Sequence, residues 1–488
     1  MTTDPRIVLP YIDGRADGAD GETIDDVNPA DATLLARVVA CDEARIDRAV
    51  TASRRAFASG VWSRAEPGVR RDVLLRFGDL MQEHLEELAQ LDSREAGKPI
   101  TACRECDIPD SIEAIRWYAQ AADTQFGRLS PTRPGSVGMI THEPMGVVAA
   151  VIPWNFPAST LSWKLGPALA AGNSVIVKPA EQTPLGALRI AELASEAGLP
   201  DGVLNVVPGW GHIAGRALGL HPDVDAVTFT GSTEIGREFL RYAADSNLKE
   251  VTLELGGKSP QIVFADVAED LDAVVEQLGL AAFTNMGENC TCGSRVLVQR
   301  TLYDTLVQRL AEESRRWTVG DPASTETRIG PLVDEAQLNR VQQYVDEASA
   351  AGATLAAGGH RVLTETGGWF FEPTVIVDAA TDSAIIRQEV FGPVVCITPF
   401  ETDEEAINLA NDTDYGLAAS IFTRDVTLAH RMSRAVQAGT VSVNGYSEGD
   451  ISTPFGGYKQ SGFGGRDKGL EALAQYTRTK TTWIDVDR

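Results

Sequence analysis

Cysteines 290 and 292 sit on either side of one threonine in NMGENCTCGSR, residues 285 to 295, and three chemistries are open to them. A thiol there is a nucleophile if a base or electropositive surroundings lower its pKa from about 8.5. The pair is a set of metal ligands if a second knuckle completes it, and packed sulfur if it faces a core. The other pair, CREC at 103 to 106, lies far upstream without histidine partners, so no metal is expected. Glu254 lies at the end of a strand, in LELGGK, where two glycines let a carboxylate approach a cleft as a general base; the other reading is a solvated strand end. Asn155, in PWNFP between prolines 153 and 157, carries an amide that can donate to an oxyanion or to its own turn. The six histidines, at 84, 142, 212, 221, 360 and 430, stand in no hydrolase motif, which weakens a thioesterase-like cysteine hydrolase as the alternative.

These groups need elements to hold them. From about residue 145 to 254, β-rich runs (GVVAAVI, SVIVKP, LNVV, AVTFTG, VTLELGG) alternate with helical patterns, the rhythm of βαβ units on a parallel sheet. Ligands to such sheets lie at the carboxyl ends of the strands, so the loops PWNFP, KPAEQ, VPGWG, FTGSTE and LGGK are the expected contacts. Two glycine patterns compete there for phosphates. GWGHIAG, residues 209 to 215, is one residue off the dinucleotide fingerprint, and FTGSTEIG, residues 229 to 236, offers Ser232 and Thr233 as helix cap and phosphate contact. A second alternation follows residue 255, with a helix over EDLDAVVEQLGLAAFTN running into Cys290. The expected division is a dinucleotide-binding domain over 1–122 and 145–254, a catalytic domain over 255–456, and an oligomerisation β-unit from 123–144 with 475–488.

Composition bounds the function. The chain has 488 residues, 43% hydrophobic and 23% charged, and a formal charge of −26. That charge disfavours nucleic acid and anionic membranes as partners. Six cysteines in this length are too sparse for a disulfide framework, and MTTDPRIVLPYIDG lacks a secretory pattern, so a cytoplasmic location is expected.

PWNFP, KPAEQTPL, FTGSTEIG, LELGGKSP, the cysteine loop, EVFGPV and PFGGYKQSG occur in the order and approximate spacing of the aldehyde dehydrogenase superfamily, which nearly the whole chain resembles. The resemblance implies an α/β fold with a Rossmann-type cofactor domain, a second α/β catalytic domain and a small β oligomerisation unit in a homodimer or homotetramer. It implies Cys290 as nucleophile, Glu254 as base and Asn155 as oxyanion donor with the backbone N–H of Cys290, and it leaves Cys292 without a role. For NAD, with NADP as the second choice, it implies Lys178 and Glu181 at the adenine ribose, Ser232 at the pyrophosphate, and Glu389 and Phe391 at the nicotinamide ribose and ring. Further cofactor contacts fall on Ile152, Pro153, Trp154, Gly209, Phe229, Gly231 and Leu255. FTGSTEIG is thereby preferred as the phosphate loop.

The chemistry explains these residue types. A free aldehyde cannot lose hydride directly, since an acylium ion would result. Thiolate addition first makes an alkoxide, which can collapse to a thioester as hydride leaves, and a base then directs water onto the thioester. Glu288 departs from the family's usual glutamine and is expected to place a further carboxylate near the thiolate.

The ending NGYSEGDISTPFGGYKQSG with RDKGLEAL resembles the aminoaldehyde dehydrogenases, and most of all the branch acting on γ-glutamyl-γ-aminobutyraldehyde in putrescine breakdown. Asp107 and Asp110 align with that group's tunnel carboxylates, with Glu448 and Asp450 as additions and Phe156 and Trp163 as the apolar wall. The competing readings are solvated surface carboxylates and a broad aliphatic aldehyde dehydrogenase.

Overall fold

VVAAV, SVIVK, LNV, AVTFT and EVTLE are apolar runs too short for helices, and they form five parallel strands: Val147–Val151, Ser174–Lys178, Leu204–Val206, Ala226–Thr230 and Glu250–Glu254. The structure, a computed structural model, describes residues 6–486; residues 1–5 and 487–488 of the expected terminal segments lie outside the described residues. The strands of this sheet are buried almost throughout, as parallel strands covered on both faces must be. In space the order is Glu250–Glu254, Ala226–Thr230, Val147–Val151, Ser174–Lys178, Leu204–Val206, extended by the antiparallel Tyr11–Ile12 and Arg15–Ala16. The order therefore reverses between Val147–Val151 and Ala226–Thr230, which opens a crevice at their carboxyl ends. At the other edge Gly462–Phe463 pairs antiparallel with Leu253 and Glu254.

Seven strands form a second sheet in the order Thr354–Ala357, Thr374–Val377, Val394–Phe400, Arg295–Gln299, Pro260–Val263, Ala418–Phe422, Thr440–Val443, parallel except for the first pair. Val394–Phe400 is its longest member, although Pro393 before it and Pro399 within it mask the strand pattern. Helix Leu271–Phe283 packs on this sheet and ends at Thr284. Asn285, Met286 and Gly287 then take left-handed backbone (φ 55°, 57° and 69°), which turns the chain sharply into Cys290.

A third sheet joins Arg128–Ser130, Ser136–Pro144 and Thr477–Asp485, all antiparallel. It exposes Leu129, Trp483 and Ile484.

Candidate active site

Local chain chemistry sets each wall of the site. Pro157 occupies the first turn of helix Pro157–Ala171, where its missing N–H costs nothing, so PWNFP ends rigidly at the crevice. A single π-helical turn, Cys103–Asp107, interrupts the helix ahead of Ile108–Ala121 and delivers Asp107 and Asp110 to the same cavity. That cavity, of about 270 Å³, is lined by Cys290, Glu254 and Asn155 together with Pro153, Trp154, Phe156, Trp163, Gly231, Ser232, Leu255, Glu389, Phe391 and Glu448. No histidine lines it among the described residues, so the base of a cysteine hydrolase is missing.

Asn155 donates one amide hydrogen to the carbonyl of Glu288 at 2.9 Å, which orients the side chain and leaves the second hydrogen for a ligand. The Asn155 backbone carbonyl accepts from Lys98 Nζ and Asn285 Nδ2, each at 3.0 Å, so the main chain that carries the amide is fixed as well. Glu254 is buried and its Oε2 has no hydrogen-bond partner among the described residues. Burial pushes this carboxyl well above the usual range, with Asp467 adding to the shift and Lys164 and Arg466 opposing it. The Cys290 thiol, partly open to the cavity, is also pushed well up, first by burial and then by the carboxylates of Glu448, Glu389 and Glu254. Cys292 is packed away: its Sγ donates to the Ala282 carbonyl at 3.5 Å, and burial raises its pKa to about 12.

Glu288 does not meet the thiol as expected. Its side chain is fully buried on the far side of the loop, where Oε1 accepts from the Val333 N–H at 3.1 Å. Among the cofactor expectations, Lys178, Glu181 and the GWGHIAG loop meet at the ends of two neighbouring strands. Glu181 Oε1 accepts from the Gly211 N–H at 2.6 Å and lies 3.3 Å from Lys178 Nζ. Ile152 and Phe229 bury their side chains in the cores around the sheet, Gly209 packs against Cys41 and Ala214, and these three, like Lys178 and Glu181, lie outside the cavity lining. Ser232 caps helix Thr233–Ala244 by accepting from the Ile235 N–H, and the helix N-terminus faces the crevice as an anion site. Phe391, at φ 58°, stacks edge-on with Trp154 at 5.3 Å. Glu389 accepts from the Gly257 N–H at 2.8 Å, and burial raises its pKa to about 7. A side chain on Gly256 would overlap that carboxylate, so glycine lets Glu389 keep this position in the slot.

The substrate expectations separate. Asp107 is held 2.6 Å from Lys98 Nζ in a buried ion pair, so its charge is already answered. Asp110 stands at the cavity mouth and Glu448 on its wall, whereas Asp450 is exposed, caps Ser452 and does not line the cavity. Phe156 and Trp163 line it as expected, joined by Phe455 at 5.6 Å from Trp163. Lys98, Lys164, Gln337 and Arg340 reach the site without a motif of their own, and Asp467 and Lys468, within RDKGLEAL, reach it with no role that the motif predicts. Lys164 Nζ is 3.0 Å from Asp467 Oδ2 and from Thr228 Oγ1 behind Glu254, and only long-range folding reveals that grouping.

Residues 16–482 match the aldehyde dehydrogenase family, and the chain belongs to it. It is 50% identical over 477 residues to aminoacetaldehyde dehydrogenase of Pseudomonas aeruginosa, covering 98% of this chain and 95% of that one. It is 46% identical to the NADP/NAD-dependent aldehyde dehydrogenase PuuC of Escherichia coli, covering 96% and 94%. The solved γ-glutamyl-γ-aminobutyraldehyde dehydrogenase of Burkholderia cenocepacia superposes with a TM-score of 0.96 at 48% identity, over 99% of this chain and 98% of the other.

Proposed function

We propose that this aldehyde dehydrogenase oxidises an ω-aminoaldehyde, or its γ-glutamyl derivative, to the carboxylic acid through Cys290, with NAD as the preferred acceptor. The observation that carries the reading is the convergence of Cys290, Asn155 and Glu254 on one cavity whose outer wall bears the Asp110 and Glu448 carboxylates.

The cavity fits the nicotinamide end of a dinucleotide, with Lys178 and Glu181 lying outside its lining. It runs from the N-terminus of helix Thr233–Ala244 to the thiol, and the Gly256 slot lets Glu389 close on the nicotinamide ribose. Ser232 would hold the pyrophosphate, Lys178 and Glu181 the adenine ribose, and Leu255 and Phe391 the nicotinamide. Bound there, the cofactor supplies the hydride acceptor. Cys290, once deprotonated, adds to the aldehyde carbon. The second Asn155 hydrogen and the Cys290 backbone N–H hold the oxygen that becomes negative. Glu254, after losing its own proton, takes one from the water that attacks the acylated sulfur.

The decisive experiment compares specificity constants for 4-aminobutyraldehyde, its γ-glutamyl derivative and hexanal while reduced nicotinamide is followed by absorbance. A preference for hexanal would overturn the amino-substrate assignment in favour of a broad aliphatic enzyme. We further infer that the sheet built from 128–144 and 477–485 joins copies of the chain edge to edge; its exposed Leu129, Trp483 and Ile484 support this, and light scattering tests it. A cytoplasmic location is supported by six cysteines that are all free. No helix among the described residues is long and apolar enough to cross a membrane.

A further inference from the structure

Glu448 differs from every other carboxylate around the cavity in what it binds. Its Oε1 accepts from Asn289 Nδ2 at 3.1 Å, from the Tyr446 hydroxyl at 3.2 Å and, in a short contact, from the Thr291 hydroxyl. Asn289 and Thr291 are the two residues flanking Cys290. Tyr446 closes the ring, accepting from Asn289 at 2.9 Å and meeting Thr291 Oγ1 at 2.7 Å, and Asn289 Oδ1 in turn accepts from the Thr291 N–H at 3.1 Å. One carboxylate oxygen thus fixes the loop on both sides of the thiol. The other, Oε2, takes no hydrogen bond among the described residues, and the residue lines the cavity.

The neighbouring acids are spent differently. Asp107 is committed to Lys98, and Asp110 stands farther out at the mouth. Lys468 comes close to Glu448 but gives its hydrogens to the carbonyls of Glu448 and Gly449, with its ammonium 4.9 Å from the Trp163 ring and 5.4 Å from that of Phe455. A carboxylate oxygen bordering an apolar cavity, with no protein cation bonded to it, is the natural partner for an ammonium carried by a ligand.

We propose that Glu448 couples substrate recognition to the nucleophile: its free oxygen pairs with the substrate ammonium while its bound oxygen holds the Cys290 loop, so that occupancy by a cation promotes ionisation of the thiol. The inference rests on Cys290 being the nucleophile of an aldehyde oxidation. Its physics is Coulombic. Glu254 faces Cys290 from the strand end, Glu389 from the EVFGPV loop, and Glu448 with Tyr446 from the loop after Thr440–Val443; Lys468 and Asp110 face Glu448. The three carboxylates all oppose a thiolate. A ligand cation at Glu448 cancels one of them at the moment an aldehyde is in place, and a neutral aldehyde of the same length cancels none.

The test uses the whole enzyme and reads alkylation of the Cys290 peptide by iodoacetamide against pH, by mass spectrometry. Adding 3-amino-1-propanol, a cation that cannot be oxidised as an aldehyde, is expected to move the midpoint down by about one pH unit, and 1-propanol is expected to leave it in place. E448Q is expected to start from a lower midpoint and to show no response to the amine. In turnover, E448Q should lower the ratio of kcat/KM for 4-aminobutyraldehyde to that for butanal about tenfold, chiefly through KM. An unmoved midpoint in the native enzyme, or an amine response that survives in E448Q, overturns the coupling. If E448Q does not fold, the amine and alcohol arms on the native enzyme still decide. Failure to oxidise either aldehyde would count against the aldehyde reading, while the alkylation arms, which need no turnover, judge the coupling separately.

Discussion

Of the three carboxylates that face Cys290 in one cavity, the fold treats Glu254 and Glu448 in opposite ways. Glu254, at the inner end, is buried with one oxygen unpartnered and Asp467 nearby, so the protein favours its neutral form. Glu448, at the outer end, collects three donors on one oxygen. The difference teaches how a carboxyl is assigned a task. Burial without donors raises the pKa of one carboxyl, whereas donors gathered on one oxygen hold the other in position.

The largest effect should come from the sulfur both of them face. C290A is expected to reduce NADH formation by about 10⁴-fold or more, leaving only background, as read by absorbance. Breaking the inner end alone, E254Q should slow turnover by about 10²- to 10⁴-fold while the acylated Cys290 accumulates, visible as an adduct mass on the intact protein. The same residue sets a sign for pH. Because burial raises its pKa, the resting acid is neutral and must lose a proton to act, so thioester hydrolysis should accelerate as pH rises through that raised value. Single-turnover deacylation of the native enzyme measures this, and a rate independent of pH would remove Glu254 from the step. N155A, which takes away a clamped donor, should cost about 10²- to 10³-fold in kcat. K98M is expected to cost about tenfold, since Lys98 holds the Asn155 carbonyl and neutralises Asp107 without touching the reacting atoms; a thermal melt run beside the kinetics separates this from simple destabilisation. D450N should change the specificity constants less than about twofold, since that side chain is exposed and outside the cavity. An effect as large as that of E448Q would dissolve the contrast between the two ends.

Much of this was legible in the chain. Parallel strands buried on both faces read as unbroken apolar runs, so VVAAV, SVIVK and AVTFT announce themselves, and the loops that follow them hold Asn155 and Ser232 where the crevice forms. Cys290, Glu254 and Glu389 likewise sit in short glycine-marked motifs. What stayed hidden depends on distance along the chain. Lys164 and Asp467 meet across 303 residues, and neither occupies a pattern that predicts the other. Glu448 was visible as an acid near a substrate loop, but its grip on Asn289 and Thr291 exists only once the two loops are brought together. Glu288 shows the reverse error. Two residues from the nucleophile in sequence, it points to the opposite side of the turn and binds Val333, because the left-handed run at 285–287 rotates the chain between them.

The short pairing of Gly462–Phe463 with Leu253–Glu254 carries a consequence for the durability of the enzyme. A proteolytic nick between Gly449 and Gly457 would cut no strand, yet it would sever the edge strand that braces the base, and Asp467 behind it, from the rest of the sheet. Damage there would yield a molecule that still looks folded to a spectrometer and no longer turns over, which makes that stretch the place to look first when preparations lose activity on storage.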